Sequence, residues 1–310
     1  DLLGESYIAK MKRDLPPLVF AISILNMPKR QSSDGFYSNL AIDTVHGYIP
    51  ESGSDSDFDF NPHKRIGSTG IGRQSLKIDS DTHDFGLLQN IKECSEDSDL
   101  MPFLPLEIAF DYNANINWVV TGQQYVFEGR DSLMTLSSMF TKNERKLREL
   151  CKDWCKYYAY HQKTNKNVTY YYDSTAKQGS YAVENVYVFW QVVTEELQAA
   201  GWIVTGIDMG RPMEHRLKHM YINDAFIGKS DLFPRFNIVN NQFLIVAMEN
   251  TGVRIGNKGF EKDKSREKKI ETEFDPSELR TDSTDAADSL FLGVKFFKHS
   301  MMGVGMPRRG

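Results

Sequence analysis

Four aspartates stand where carboxylates can do chemistry. Asp111 closes the apolar stretch LPLEIAFDYN, Asp173 closes NVTYYYDST, and Asp285 and Asp288 open the C-terminal stretch TDAADSLFLGVKFF. A carboxylate at a strand end sits on a rigid support, and two carboxylates one helical turn apart share a face. Hard divalent cations such as Mg2+ and Mn2+ take oxygen ligands of this kind in preference to thiolate. Two such ions about 4 Å apart can ready a water for attack on a phosphodiester and stabilise the leaving oxygen. The expectation is therefore a two-ion site with Asp111, Asp173, Asp285 and Asp288 as ligands. Each aspartate also has a plainer reading. An Asp at a strand end forms a turn or an N-cap, and an Asp early in a helix complements the macrodipole. The joint pattern favours the metal reading over four separate caps. Asp282 is read as a cap or an outer neighbour of the site, and Glu107 and Asp208 as structural.

Basic residues near these positions are candidates for phosphate contact. Lys177 follows Asp173 by four residues, Arg211 follows the stretch WIVTGID, and Lys258, Lys262, Lys264 and Arg266 lie in KGFEKDKSREKK before the last helix. Contacts of this type position a duplex without reading its sequence. The acids interleaved in that segment also suit a solvated turn. Other motifs carry less. His215 and His219 have zinc-like spacing but no third ligand and no glutamate at the metalloprotease position. Cys151 and Cys155 lie one helical turn apart without histidine partners and read as free thiols. The run GSTGIG lacks the following Gly-Lys-Ser/Thr of a phosphate loop.

The elements that must hold the carboxylates can be read from periodicity. LPLEIAFD, INWVVTGQQYVFEG and SLMTLSSMF are three closely spaced strands of an antiparallel meander. A helix follows from a cap at Asn143 to about His161, with Leu147, Leu150, Cys151, Trp154 and Tyr158 at helical spacing. NVTYYYD is a fourth strand. Val183 to Ala200 is a helix closed by Gly201, and WIVTGID is a fifth strand. Pro212 to Ile227 and Asn241 to Thr251 read as helices, FPRFNIV as extended, and Ser283 to Phe297 as the last helix. Three strands, helix, strand, helix, strand predicts an α/β RNase H-like mixed sheet, three antiparallel strands then parallel ones, with helices on both faces.

Composition sets the outer bounds. The chain has 310 residues, a formal net charge of −5 and three cysteines, too few for a disulfide framework. A reducing, intracellular setting is expected. No apolar run approaches the roughly 20 residues that span a bilayer. The opening DLLGESYIAK lacks the basic and apolar regions of a signal peptide, and its abrupt start reads as a piece of a longer protein. Residues 51–84 are rich in Ser, Asp and Gly and read as a flexible excursion.

Four stretches together resemble the nuclease domain of bacteriophage or prophage terminase large subunits. They are IAFDYNANINWVVTGQ, VTYYYDSTAKQ, the KDKSREKK region and RTDSTDAADSLFLGV, and the likeness covers about residues 103–298. The resemblance implies a Mg2+- or Mn2+-dependent endonuclease that cuts concatemeric double-stranded viral DNA during packaging. It makes Asp111 and Asp173 the metal-bridging pair, with either Asp285 or Asp288 as the further ligand. It implies residues 1–102 as a linker or extension to an ATPase domain of the full-length protein, and 299–310 as a tail. Portal protein and small terminase subunit are the implied partners, in the host bacterial cytoplasm and transiently at the procapsid portal. The alternatives are a non-catalytic module that docks DNA or portal, and another RNase H-like nuclease such as a resolvase.

Overall fold

Alternation along LEIAFDY decides how the sheet is buried. Leu106, Ile108 and Phe110 point to one apolar core and Ala109 to the other, as a strand between two helical layers requires. This stretch is strand β2, Leu106–Tyr112. The computed structural model describes residues 35–48, 94, 99–113, 116–127, 129–142, 146–178, 188–256, 259–264 and 282–298. Within them β1 is Gly47–Tyr48, β3 Ile116–Phe127, β4 Arg130–Lys142, β5 Asn167–Tyr172, β6 Ile203–Asp208 and β7 Leu232–Asn237. The helices are α1 Leu147–Tyr157, α2 Ala159–Gln162, α3 Phe189–Ala199, α4 His215–Phe226, α5 Gln242–Asn250 and α6 Asp282–Gly293.

These seven strands form one mixed sheet in the order β1-β7-β4-β3-β2-β5-β6. β2, β3 and β4 are an antiparallel meander, while β5 and β6 run parallel to β2. Strands β4-β3-β2-β5-β6 thus have the RNase H-like arrangement, flanked by helices on both faces. At the other end β7 runs parallel to β4, and β1 parallel to β7. The two-residue β1 is not legible as a strand in the sequence. It lies in residues 35–48, where Phe36, Tyr37, Ile42 and Tyr48 are all buried in the cores. The packed unit therefore includes residues that precede position 103.

One layer is α1 and α3, which pack on each other and bury Leu150, Trp154, Val192 and Val193. Gly201 takes a φ of 91° just past α3, the left-handed conformation that ends a helix at little cost for glycine. The opposite layer holds α4, α5 and α6. Ala286, Leu290 and Gly293 recur at helical spacing along α6, and a Cβ on Gly293 would run into the Tyr171 ring of β5. Small residues on this stripe let α6 lie close to β2, β3 and β5. A separate hairpin, β8 (Val253–Gly256) with β9 (Gly259–Lys262), stands beside α4. Asn143 and residues 51–84, 181–187 and 299–310 lie outside the described residues.

Candidate active site

Parallel pairing of β2 with β5 brings two of the expected carboxylates to one sheet edge. The register runs from Leu106↔Val168 to Ala109↔Tyr171. Continued by two residues it sets Asp111 opposite Asp173, on strands about 4.8 Å apart. Both are half-buried. Asp111 accepts a hydrogen bond from Asn113 Nδ2 at 2.9 Å. Asp173 accepts from the Thr175 backbone N–H at 2.8 Å and from Thr175 Oγ1 at 2.5 Å. It thereby caps the 3-10 turn Ser174–Lys177, so the plainer capping role and the half-buried strand-end position coexist. Among the described residues Asp173 forms no ion pair.

Two exposed cations adjoin this edge. Ser174 N–H donates to Gly210 C=O at 2.7 Å, tying the loop after β5 to the loop after β6, where Arg211 is exposed. Lys177 closes the capped turn and pairs with Asp208 at the end of β6. Their side chains are 49% and 38% exposed, so water screens the pair. The Lys177 hydrogen bond, with a second from the Gly210 N–H, holds the Asp208 carboxyl below the usual carboxylate range. Glu107, on the same face as Asp111, is buried and accepts from Tyr171 Oη at 2.8 Å.

Asp285 and Asp288 are in different surroundings. Lys262 Nζ lies 2.8 Å from Asp285 Oδ1, 2.6 Å from Asp288 Oδ2 and 2.9 Å from Thr284 Oγ1. Its side chain is 0% exposed and that of Asp288 1%. Asp288 Oδ1 accepts from Tyr37 Oη at 2.8 Å, whereas Oδ2 meets the ammonium as an ion contact outside hydrogen-bond angles. Lys264 also pairs with Asp285. Burial pushes the Asp285 carboxyl up, but the charges of Lys262, Lys264 and Lys218 outweigh it and hold it well below the usual range. Burial likewise opposes the charge on Lys262, and Asp285 and Asp288 more than restore it.

Lys262, expected as a phosphate contact, is therefore buried as the counter-ion of two carboxylates and presents no charge to a duplex. Lys264 is half-exposed. Lys258 and Arg266 lie outside the described residues. Among the described residues, no group of three or more His, Cys, Asp or Glu is arranged to hold a metal ion. The described residues thus contain two aspartate pairs, one at the strand ends and one on α6 around Lys262. His215 and His219 serve packing and positioning: His215 Nδ1 accepts the Lys262 backbone N–H at 2.8 Å, and His219 meets the Phe36 and Phe260 rings edge-on. Sequence reasoning misses Tyr37, whose partner Asp288 is 251 residues away and which no local motif marks.

No family model matches the chain, and no curated protein matches it in sequence. Among solved structures it is similar to RuvC of Thermus thermophilus, at 12% identity and a TM-score of 0.21, over 33% of this chain and 63% of the RuvC chain. The match thus spans less than two thirds of RuvC, and the fold assignment rests on the strand order itself. No helix among the described residues is long and apolar enough to cross a membrane.

Proposed function

We propose that this chain is a divalent-cation-dependent endonuclease of double-stranded DNA, of the terminase nuclease type. The observation that carries the reading is the placement of Asp111 and Asp173 at one edge of an RNase H-like sheet, on neighbouring parallel strands. Their oxygens, with the Asn113 amide alongside, are the hard donor set that suits Mg2+ or Mn2+. A cation bound there would supply Lewis-acid polarisation of the phosphate and a more acidic water. The chain's own residues do the rest. Asp111 and Asp173 present the ligand oxygens from rigid strands. Lys177 and Arg211 flank them with exposed charge that can take phosphate oxygens and set the duplex in line. Most of the rate enhancement then comes from positioning and charge neutralisation.

The packaging role rests on the four terminase-like sequence stretches. On that reading concatemeric viral DNA is the substrate, and an ATPase domain, portal protein and small terminase subunit are partners. Cleavage of supercoiled plasmid in Mn2+, in Mg2+ and in EDTA tests the activity, with Asp111→Asn alongside. Nicking and linearisation that need metal and vanish in the variant support the reading. Absence of cutting in both metals would replace it with a DNA- or portal-docking role.

A further inference from the structure

The carboxylates of α6 already hold a cation, and it belongs to the chain. We propose that Lys262 is the resident counter-ion of Asp285 and Asp288, so that this pair takes no divalent ion and the chain binds a single one, at Asp111 and Asp173. The second half of this proposal rests on the function proposed above.

The ammonium donates hydrogen bonds to Thr284 Oγ1 and Asp285 Oδ1 and makes an ion contact with Asp288 Oδ2. These three oxygens, from Asp285, Asp288 and Thr284, lie 2.6 to 2.9 Å from Nζ. Its charge also lies over the rings of Phe36 and Tyr37, at 5.0 and 5.3 Å from their centroids. Among the described residues, Asp285 and Asp288 face two ammonium groups, Lys262 and Lys264, and the buried Lys218 adds to the positive potential at Asp285. A divalent ion entering here would meet carboxylates already paired with ammonium groups. It would first have to expel a desolvated ammonium whose strand is fixed by the His215 hydrogen bond to the Lys262 N–H. Breaking a buried pair is strongly unfavourable because it strands a buried charge.

Titration of the chain with Mn2+, with free ion counted by electron paramagnetic resonance and no DNA present, separates the two halves. The wild-type chain is expected to bind one ion. Asp173→Asn should lose it, and Asp285→Asn should keep it. Lys262→Met, which leaves Asp285 and Asp288 without their shared cation, should gain a second ion. Two ions in the wild type, or loss of the ion in Asp285→Asn, would overturn the proposal. A wild type that binds no Mn2+ would refute the strand-end site and the function built on it, while a gain in Lys262→Met would still uphold the lysine half. Lys262→Met that folds and gains no ion refutes that half. If Lys262→Met fails to fold, the wild-type count and the Asp285→Asn arm decide between the outcomes.

Discussion

The two aspartate pairs differ in the elements that hold them and in the side chains packed around them. Asp111 and Asp173 sit half-buried at the ends of β2 and β5, with neutral hydrogen-bond donors from Asn113 and Thr175. Asp285 and Asp288 sit beneath Lys262, which is fully buried and neutralises them within the fold. A carboxylate that keeps water access can exchange its shell for an ion, whereas one closed into an ion pair holds two pieces of chain together. Here the second pair joins α6 to β9 and, through Tyr37, to residues 35–48. Acidic residues of one type thus divide into a strand-end pair, proposed above as an ion site, and a pair that locks α6 to its neighbours.

Breaking the lock should have the largest effect. Lys262→Met leaves the buried Asp288 without a cation and Asp285 with Lys264 alone, and a loss of about 3–5 kcal/mol in folding free energy is expected from urea unfolding. Adding Asp285→Asn and Asp288→Asn to the same chain should recover much of that loss, since no stranded charge remains. An unchanged urea midpoint in Lys262→Met would show that the pair is not the lock described. Next comes the close approach that sets α6 over the sheet. Gly293→Ala drives a methyl group into Tyr171, and overpacking of about 1–3 kcal/mol should appear as a lower melting temperature.

The pairs should also respond differently to solution conditions. Asp285 has its folded pKa depressed, so its contribution to stability is present above the ordinary carboxylate range and is lost as pH falls below it. Asp99 runs the other way. Burial pushes it up to about 6, despite hydrogen bonds from Tyr48 and Asn237. The folded chain then binds the Asp99 proton more tightly than the unfolded chain, and this group's contribution falls as pH rises from about 4 to about 6. Urea midpoints over that range should lose this downward component in Asp99→Asn, and an unaltered slope would contradict the assignment. The smallest effect is expected at the exposed flank. Lys177→Ala should weaken duplex binding several-fold and lower the salt dependence by about one phosphate contact, with melting unchanged.

The strand-end placement is legible in the sequence because the strands are marked locally and their order follows from the succession of elements. Alternation in LEIAFDY and NVTYYYD marks the strands, and the polar residues after them mark the ends. The meander and the two following strand–helix steps then give β2 and β5 as parallel neighbours. The lock is not legible in this way. Lys262 lies among charged residues that read as solvent-facing, and its burial depends on Thr284, 22 residues on, and on aromatic rings from residues 36 and 37. Asp285 and Asp288 carry the same sequence signal as open ligands, since helical spacing reports a shared face and not what covers it. β1 is hidden for a related reason. Two residues have no periodicity, and Gly47 and Tyr48 become a strand through pairing with β7.

The division of labour between the pairs is tested most directly by measuring plasmid cleavage and thermal melting together for Asp173→Asn and Asp288→Asn. Asp173→Asn should cut at least about a hundredfold more slowly, the scale of several kcal/mol of lost charge stabilisation, and melt like the wild type. Asp288→Asn should melt lower and, at temperatures where it is folded, retain cleavage. Native-rate cutting by Asp173→Asn, or abolished cutting in a fully folded Asp288→Asn, would contradict the account.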